Sequence, residues 1–332
     1  MRYEHVVRYV AETPWAILPA KLEEIVGVLA FRSAGGTFTP EEIAARIGDA
    51  ASRPTAPSTQ GAIAVIPIHG TIAHRMGGMS ESSGGISAER IGLMMRQAYA
   101  DPAVTAIVLD INSPGGTVAG MPELADELLA SRGRKPVVAV ANALMASAAY
   151  WIAAAAADEI VATPSGFVGS IGVFSALFDE SKKFEQEGVT VHLLKAGKYK
   201  AEGFPGLPVT AEAKAHMQGL IDESYASFTR AVAKGRGVPV ASVRDGYGEG
   251  RALSAKAALE AGLVDRIETL DAVIKRLSRG SASGAGGRAE LEDVVLEGTG
   301  AADPVGVLSD AVEPVAAAGE DLELQAWALR LR

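Results

Sequence analysis

Cysteine is absent from the 332-residue chain, which excludes a disulfide framework, thiolate metal sites and a cysteine nucleophile together. Aromatic residues contribute only 5%, and the formal net charge is −9, so the chain as a whole lacks the basic footprint of a nucleic-acid binder. His5, His69, His74, His192 and His216 have no metal-ligand spacing, and no H-E-x-x-H, G-x-x-x-x-G-K-[ST], G-x-S-x-G or S-x-x-K occurs. No metal and no cofactor are expected. The start, Met1-Arg2-Tyr3-Glu4-His5, has no apolar run behind a basic residue of the kind a secretory leader carries. Val137 to Ala157 carries no charge and is long enough to span a bilayer. It is mostly alanine, however, and is interrupted by Asn142 and Ser147. It reads as a buried strand followed by a buried Ala-rich helix, so no membrane partner is expected.

What is present is a hydrophobic content of 48% beside 37 Gly and 16 Pro, the composition of a globular α/β chain rich in turns. Three zones are visible. Residues 1–60 read as a helical N-terminal extension and linker. Pro19 opens a helix through Phe31, Thr39-Pro40-Glu41-Glu42 has capping-box spacing, and Gly48 to Gly61 is rich in Ser and Pro. Residues 61–278 alternate strand and helix signals, which favours a largely parallel sheet. Strands are expected at Ala62–Ile68, Val104–Ile111, Val137–Ala141, Glu159–Ala162 and Val189–Leu194. Helices are expected at Ala88–Tyr99, Pro122–Ala130, Ser147–Ala156, Ala211–Lys234 and Ala255–Ala261. Residues 279–332 read as a Gly/Ser linker and an acidic tail. The part from Ala289 onward holds ten acidic residues against two arginines, the composition of a solubilising tail or a docking segment.

Two segments could carry chemistry. Asn112-Ser113-Pro114-Gly115-Gly116 ends an expected strand just before a helix. Paired glycines there let backbone N–H groups approach a ligand and stabilise a developing oxyanion, although a plain strand-to-helix turn also needs glycine. Ser147, in Met145-Ala146-Ser147-Ala148-Ala149-Tyr150-Trp151, falls where a strand gives way to a helix. Its hydroxyl could meet the positive end of the helix dipole, or it could be a helix cap or a small packing residue. A serine nucleophile needs a base, and the histidines fit that need poorly. A lysine can serve if neutral, which means bringing a group that titrates near ~10.4 down to roughly 7–8. Lys195, Lys198 and Lys200, in Leu194-Lys195-Ala196-Gly197-Lys198-Tyr199-Lys200-Ala201, are all candidates, and any of them could equally be a solvated surface residue.

The strand–SPGG–helix unit, the Ser147 segment, Gly169-Ser170-Ile171-Gly172 and Gly197-Lys198-Tyr199-Lys200 occur in an order and spacing similar to those of the S49 peptidase family. The likeness runs from about Ala62 to Leu277 and includes Gly262-Leu263-Val264-Asp265. It resembles half-length members of the signal-peptide-peptidase-A and phage capsid-assembly-protease kind. The resemblance implies an α/β fold with a ClpP/crotonase-like core of repeated β-β-α units. It also implies a serine endopeptidase with a Ser/Lys dyad: Ser147 as nucleophile, Lys200 as general base, Gly115 and Gly116 as oxyanion hole, and Ser170 helping to hold the lysine.

Many relatives have glycine soon after the nucleophile, where this chain has Ala148-Ala149. Pro14-Trp15-Ala16-Ile17-Leu18-Pro19 resembles phage and prophage members, and no hydrophobic anchor precedes it. The expected task is therefore processing of phage capsid, portal or scaffold protein in the bacterial host cytoplasm, within a prohead. Degradation of short peptides by a signal-peptide-peptidase-like enzyme is the nearest alternative. A crotonase-like acyl-CoA enzyme and a non-catalytic assembly factor are alternatives of other classes. Because residues 62–278 hold one copy of each motif, the resemblance further implies a ring-shaped homo-oligomer in which Lys200 of one subunit serves Ser147 of its neighbour.

Overall fold

The computed structural model describes residues 4–39, 42, 56–76 and 84–286, with side chains through Arg279. The expected tail from Ala289 onward and most of the expected linker at 48–61 lie outside the described residues. Strands β1 (Trp15–Ile17), β2 (Ser58–Gln60), β3 (Ile63–His69), β4 (Ile72–Ala73), β5 (Ile86–Ser87) and β6 (Ala106–Ser113) are followed by β7 (Gly115–Thr117), β8 (Val137–Ala146), β9 (Glu159–Ala162), β10 (Phe167–Gly169), β11 (Ala252–Ser254) and β12 (Arg266–Ile267). Helices α1 (Glu4–Glu12), α2 (Pro19–Ser33), α3 (Ala88–Ala100), α4 (Met121–Ser131) and α5 (Ala148–Ala156) are followed by α6 (Ser181–Gln186), α7 (Ala211–Arg236), α8 (Val240–Gly246), α9 (Ala255–Glu260) and α10 (Leu270–Gly286).

The larger sheet runs β11-β10-β8-β6-β3-β2, with β9 also on β8 and β12 on β9. Its centre, β3-β6-β8, is parallel, and both faces are covered, as a parallel sheet requires. The strands alternate with period two. Ile63, Val65, Val108, Val138 and Val140 pack with Val273 and Ile274 of α10. Ile66, Ile68, Ile107, Leu109 and Ala139 join the core that holds α3, α4, α5 and α7. The fold is thus mixed α/β with a parallel central sheet.

All nine residues of α5 are buried. A helix apolar on every side belongs in a core, and its alanines let neighbours close in. A side chain at Gly235 of α7 would collide with the Ala154 carbonyl, while Trp151 stacks on Phe228 with ring centroids 4.5 Å apart. The uncharged run from Val137 to Ala157 is therefore β8 followed by α5. Among the described residues no helix is long and apolar enough to cross a membrane.

The structure departs from the sequence expectation in three places. Val189–Leu194 is not a strand: the segment is irregular, no neighbouring strand satisfies its backbone, and Leu194 is 95% exposed. Residues 279–286, expected as linker, continue α10. The N-terminal zone is also not wholly helical. Thr39 and Glu42 do make the reciprocal capping-box bonds, at 2.9 and 3.2 Å, but Trp15–Ile17 forms a strand. It belongs to a second sheet, ordered β1-β7-β4-β5, which reaches the SPGG segment.

Candidate active site

Strand β8 positions the serine. Its first part pairs with β9 through Val138 to Ala141, and its last part pairs with β10 through Leu144 to Ala146. Ala143, at φ 86°, marks the change of partner. The register against β6 shifts between Ile111 and Ser113. This bulge carries the chain past the end of β6 and delivers Ser147 at the junction with α5.

Ser147 has φ 56° and ψ −118°, an uncommon conformation for a residue with a β-carbon and one that surrounding structure must hold in place. The hold is visible. Ser147 N donates to Gly169 O at 2.7 Å, and Ser147 O accepts from Trp151 N at 3.0 Å. The hydroxyl makes no helix-capping bond; its contact is Gly172 O at 3.5 Å. That removes the helix-cap alternative for Ser147 and leaves the hydroxyl at the positive end of α5. Ala148 and Ala149 are fully buried in the first turn of that helix.

Gly115 and Gly116 stand beside it. Gly115 has φ +99°, and a β-carbon there would collide with the Ala16 carbonyl and come 2.9 Å from Ser147 Cβ. A β-carbon on Gly116 would run into the Ile72 carbonyl. Only glycine fits either position. Ser113 braces the turn: its hydroxyl donates to Gly70 O at 2.7 Å and accepts from Gly115 N at 3.2 Å. Ser170, 4% exposed and at φ 53°, directly follows the Gly169 carbonyl that binds Ser147. Ser147, Gly115, Gly116 and Ser170 are therefore brought together.

Lys200 is not part of that cluster. It lines a cavity of about 690 Å³ with Glu12, Leu177, Tyr199, Glu212 and His216, and none of the four clustered residues lines it. Lys198 is on the surface, bonded to the Tyr199 hydroxyl at 2.8 Å and lying 3.7 Å from Glu212. Among the described residues no hydrogen bond joins a lysine to Ser147 Oγ. Among the described residues no group of three or more His, Asp or Glu is gathered as a metal would require.

Comparison with known proteins follows the same residues. Residues 130–283 match the model of peptidase family S49. Over that segment the chain is similar to the S49 family. That segment contains Ser147, Ser170 and Lys200, whereas Gly115 and Gly116 precede it. The chain is 37% identical over 207 residues to the head-tail preconnector protein GP5 of Enterobacteria phage P21, covering 62% of this chain and 40% of that protein. It is 32% identical over 253 residues to the capsid assembly protease C of Escherichia phage lambda, covering 70% of this chain and 57% of that protein. It is 36% identical over 179 residues to the putative protease MJ0651 of Methanocaldococcus jannaschii, covering 54% and 57%. The chain thus spans roughly half the length of these relatives.

Sequence reasoning missed two polar arrangements. Asp110 accepts from Asn142 Nδ2 at 3.0 Å and lies 3.2 Å from His69 Nε2, so a partly buried network joins β3, β6 and β8. Their adjacency follows from strand register, which no local pattern reveals. The second is at Gly262-Leu263-Val264-Asp265. Asp265 receives Arg236 through both guanidinium nitrogens, at 2.6 and 2.8 Å, and Ile160 N at 2.7 Å. Burial alone would raise this carboxyl, but Arg236 and the Ile160 N–H outweigh it and hold Asp265 below the usual carboxylate range. This S49-like motif fastens α7 to β9.

Proposed function

We propose that the chain is a serine endopeptidase in which Ser147 is the nucleophile, Lys200 the general base, and Gly115 and Gly116 the oxyanion donors. The observation that carries the reading is Ser147 itself, held at positive φ at the head of α5 against two glycines that admit no side chain. Ser147 Oγ adds to the scissile carbonyl while neutral Lys200 takes its proton. The resulting alkoxide lies at the glycine N–H groups. Collapse expels the amine, protonated by the lysine, and leaves an acyl-enzyme. Water, deprotonated by the same lysine, then releases the acid and restores the serine. Ser170 positions the lysine.

The separation of Lys200 from the serine cluster supports a site completed by a neighbouring subunit. A closed head-to-tail ring, in which each subunit lends Lys200 to the next, is the matching symmetry. We place the core with the ClpP/crotonase architecture on the strength of its covered parallel sheet and strand–turn–helix site. The names of the phage relatives favour a capsid, portal or scaffold protein as substrate, cleaved in the bacterial host cytoplasm within a prohead.

The test mixes inactive Ser147→Ala with inactive Lys200→Ala under conditions of proven subunit exchange. Recovered peptide hydrolysis supports the shared site. No recovery after exchange shows that both groups act from one chain.

A further inference from the structure

The place in front of Ser147 is filled by the chain itself. Strand β1 lies between β7 on one side and the segment leading to Phe174 on the other. Trp15 N donates to Phe174 O at 2.9 Å, and Phe174 N donates to Trp15 O at 3.0 Å. Facing β7, Leu18 N donates to Pro114 O at 2.9 Å and Val118 N donates to Pro14 O at 3.2 Å. Ala16 and Gly116 are opposite each other in this antiparallel pair. Bonds two residues away on either side make them, by the alternation of such a ladder, the pair that exchanges N–H and C=O. The Ala16 carbonyl therefore takes the Gly116 N–H that a substrate oxyanion would use. Ala16 and Ser147 are both 0% exposed, so no external peptide reaches the serine while β1 is in place.

We propose that residues 14–18 are an internal stand-in for the substrate strand. The slot they fill takes an extended peptide with a small residue at the position of Ala16, and it opens when β1 withdraws. The proposal rests on the peptidase reading of Ser147. A strand held between two neighbours gains affinity from main-chain bonds and selectivity from alternate side chains. Both elements are present. Trp15 and Ile17 pack with Leu22, Val10, Ile25 and Phe174, while Ala16 is fully buried in the main core and opposite Gly116, where only a short side chain belongs. β1 is carried by the α1–α2 pair, outside the central sheet. Besides the apolar contact with Phe174, the side-chain bonds that tie this unit to the rest of the chain are exchangeable polar ones: Arg8 to Glu180 at 3.1 Å and to the Phe178 carbonyl. An incoming peptide that makes the same ladder replaces them without disturbing β3, β6 or β8.

The absence of native cysteine makes a lock feasible. Pro14 and Val118 face each other one residue beyond the paired strands, joined by the Val118 N to Pro14 O bond, so P14C with V118C can be bridged at ordinary disulfide spacing. The measurement is the rate at which a fluorophosphonate modifies Ser147, read by intact mass. The oxidised pair should react about tenfold or more slowly than the same protein after reduction, because the open population is removed. Trp15→Ala, which loses the Val10 bond and the aromatic packing, should react faster than the unaltered chain. Equal rates in the bridged and reduced forms overturn the proposal, as does an unchanged rate in Trp15→Ala if the pair does not oxidise. A folded Trp15→Ala protein that never reacts at Ser147, even though β1 is loosened, overturns the peptidase reading itself, and the stand-in with it.

Discussion

Gly115 faces Ser147 so closely that a β-carbon on the glycine would stand 2.9 Å from the serine Cβ. Under the peptidase proposal, a substrate carbonyl lies between the serine hydroxyl and the backbone of β7. Gly115→Ala keeps its N–H but not its place, since the new β-carbon would collide with the Ala16 carbonyl and Ser147 Cβ. It should lower peptide hydrolysis by about 10²-fold or more, the scale on which a misplaced oxyanion donor acts. Gly219→Ala is the control. Nothing lies within 4 Å of that position in α7, and alanine there should gain about 0.5–1 kcal/mol of stability with activity unchanged. Thermal melts and steady-state rates check both. An active Gly115→Ala would remove Gly115 from the site.

The two candidate lysines separate by substitution. Ser147→Ala and Lys200→Ala should each abolish turnover while keeping the melting temperature, since members of a catalytic pair act as a unit. Lys198→Ala should keep most of its activity, because its partners Tyr199 and Glu212 are exposed and such pairs contribute about 0–1 kcal/mol. Reversal of the two lysine phenotypes would place the base at Lys198.

Asp265 gives the acid-stability prediction. Its folded pKa is lowered, so its contribution is present above the unfolded value and lost as pH falls through the folded one. Asp265→Asn should cost about 1–3 kcal/mol near neutral pH, the worth of hydrogen bonds to a charged group. The variant should also lose less stability on acidification than the unaltered chain. Denaturant melts from pH 7 down to about pH 3 measure it. An Asp265→Asn protein with the full acid dependence would contradict this assignment.

Helix α10 sets the limit for truncation. Val273 and Ile274 are buried against β3, β6 and β8, so Ile274→Ala should cost about 2–5 kcal/mol. Ending the chain at Gly287 should leave peptide hydrolysis unchanged. A chain ended there that cannot fold would assign the acidic segment to the core.

The elements readable from sequence were those whose own pattern matches their burial. Ile63–His69, Ala106–Ser113 and Glu159–Ala162 are apolar runs bounded by turns, and they became the buried parallel strands. Val189–Leu194 has strand composition but no neighbour to pair with, and β propensity without a partner does not make a strand. Trp15–Ile17 is the converse case. Three residues have no period of their own, and their strand identity comes from β7, about a hundred residues later. At the site, the strand-to-helix step at Ser147 and the need for glycine at 115 and 116 were legible locally. The full burial of Ser147 was not, since it depends on long-range packing. Lys200 was singled out from its neighbours by resemblance alone.

Covalent capture tests the central claim most directly. The protein is incubated with a fluorophosphonate, digested, and the modified residue located by fragment masses. One adduct per chain is expected, on Ser147, absent from Ser147→Ala and strongly slowed in Lys200→Ala. A folded protein that hydrolyses peptides but carries its adduct elsewhere, or none at all, would contradict it.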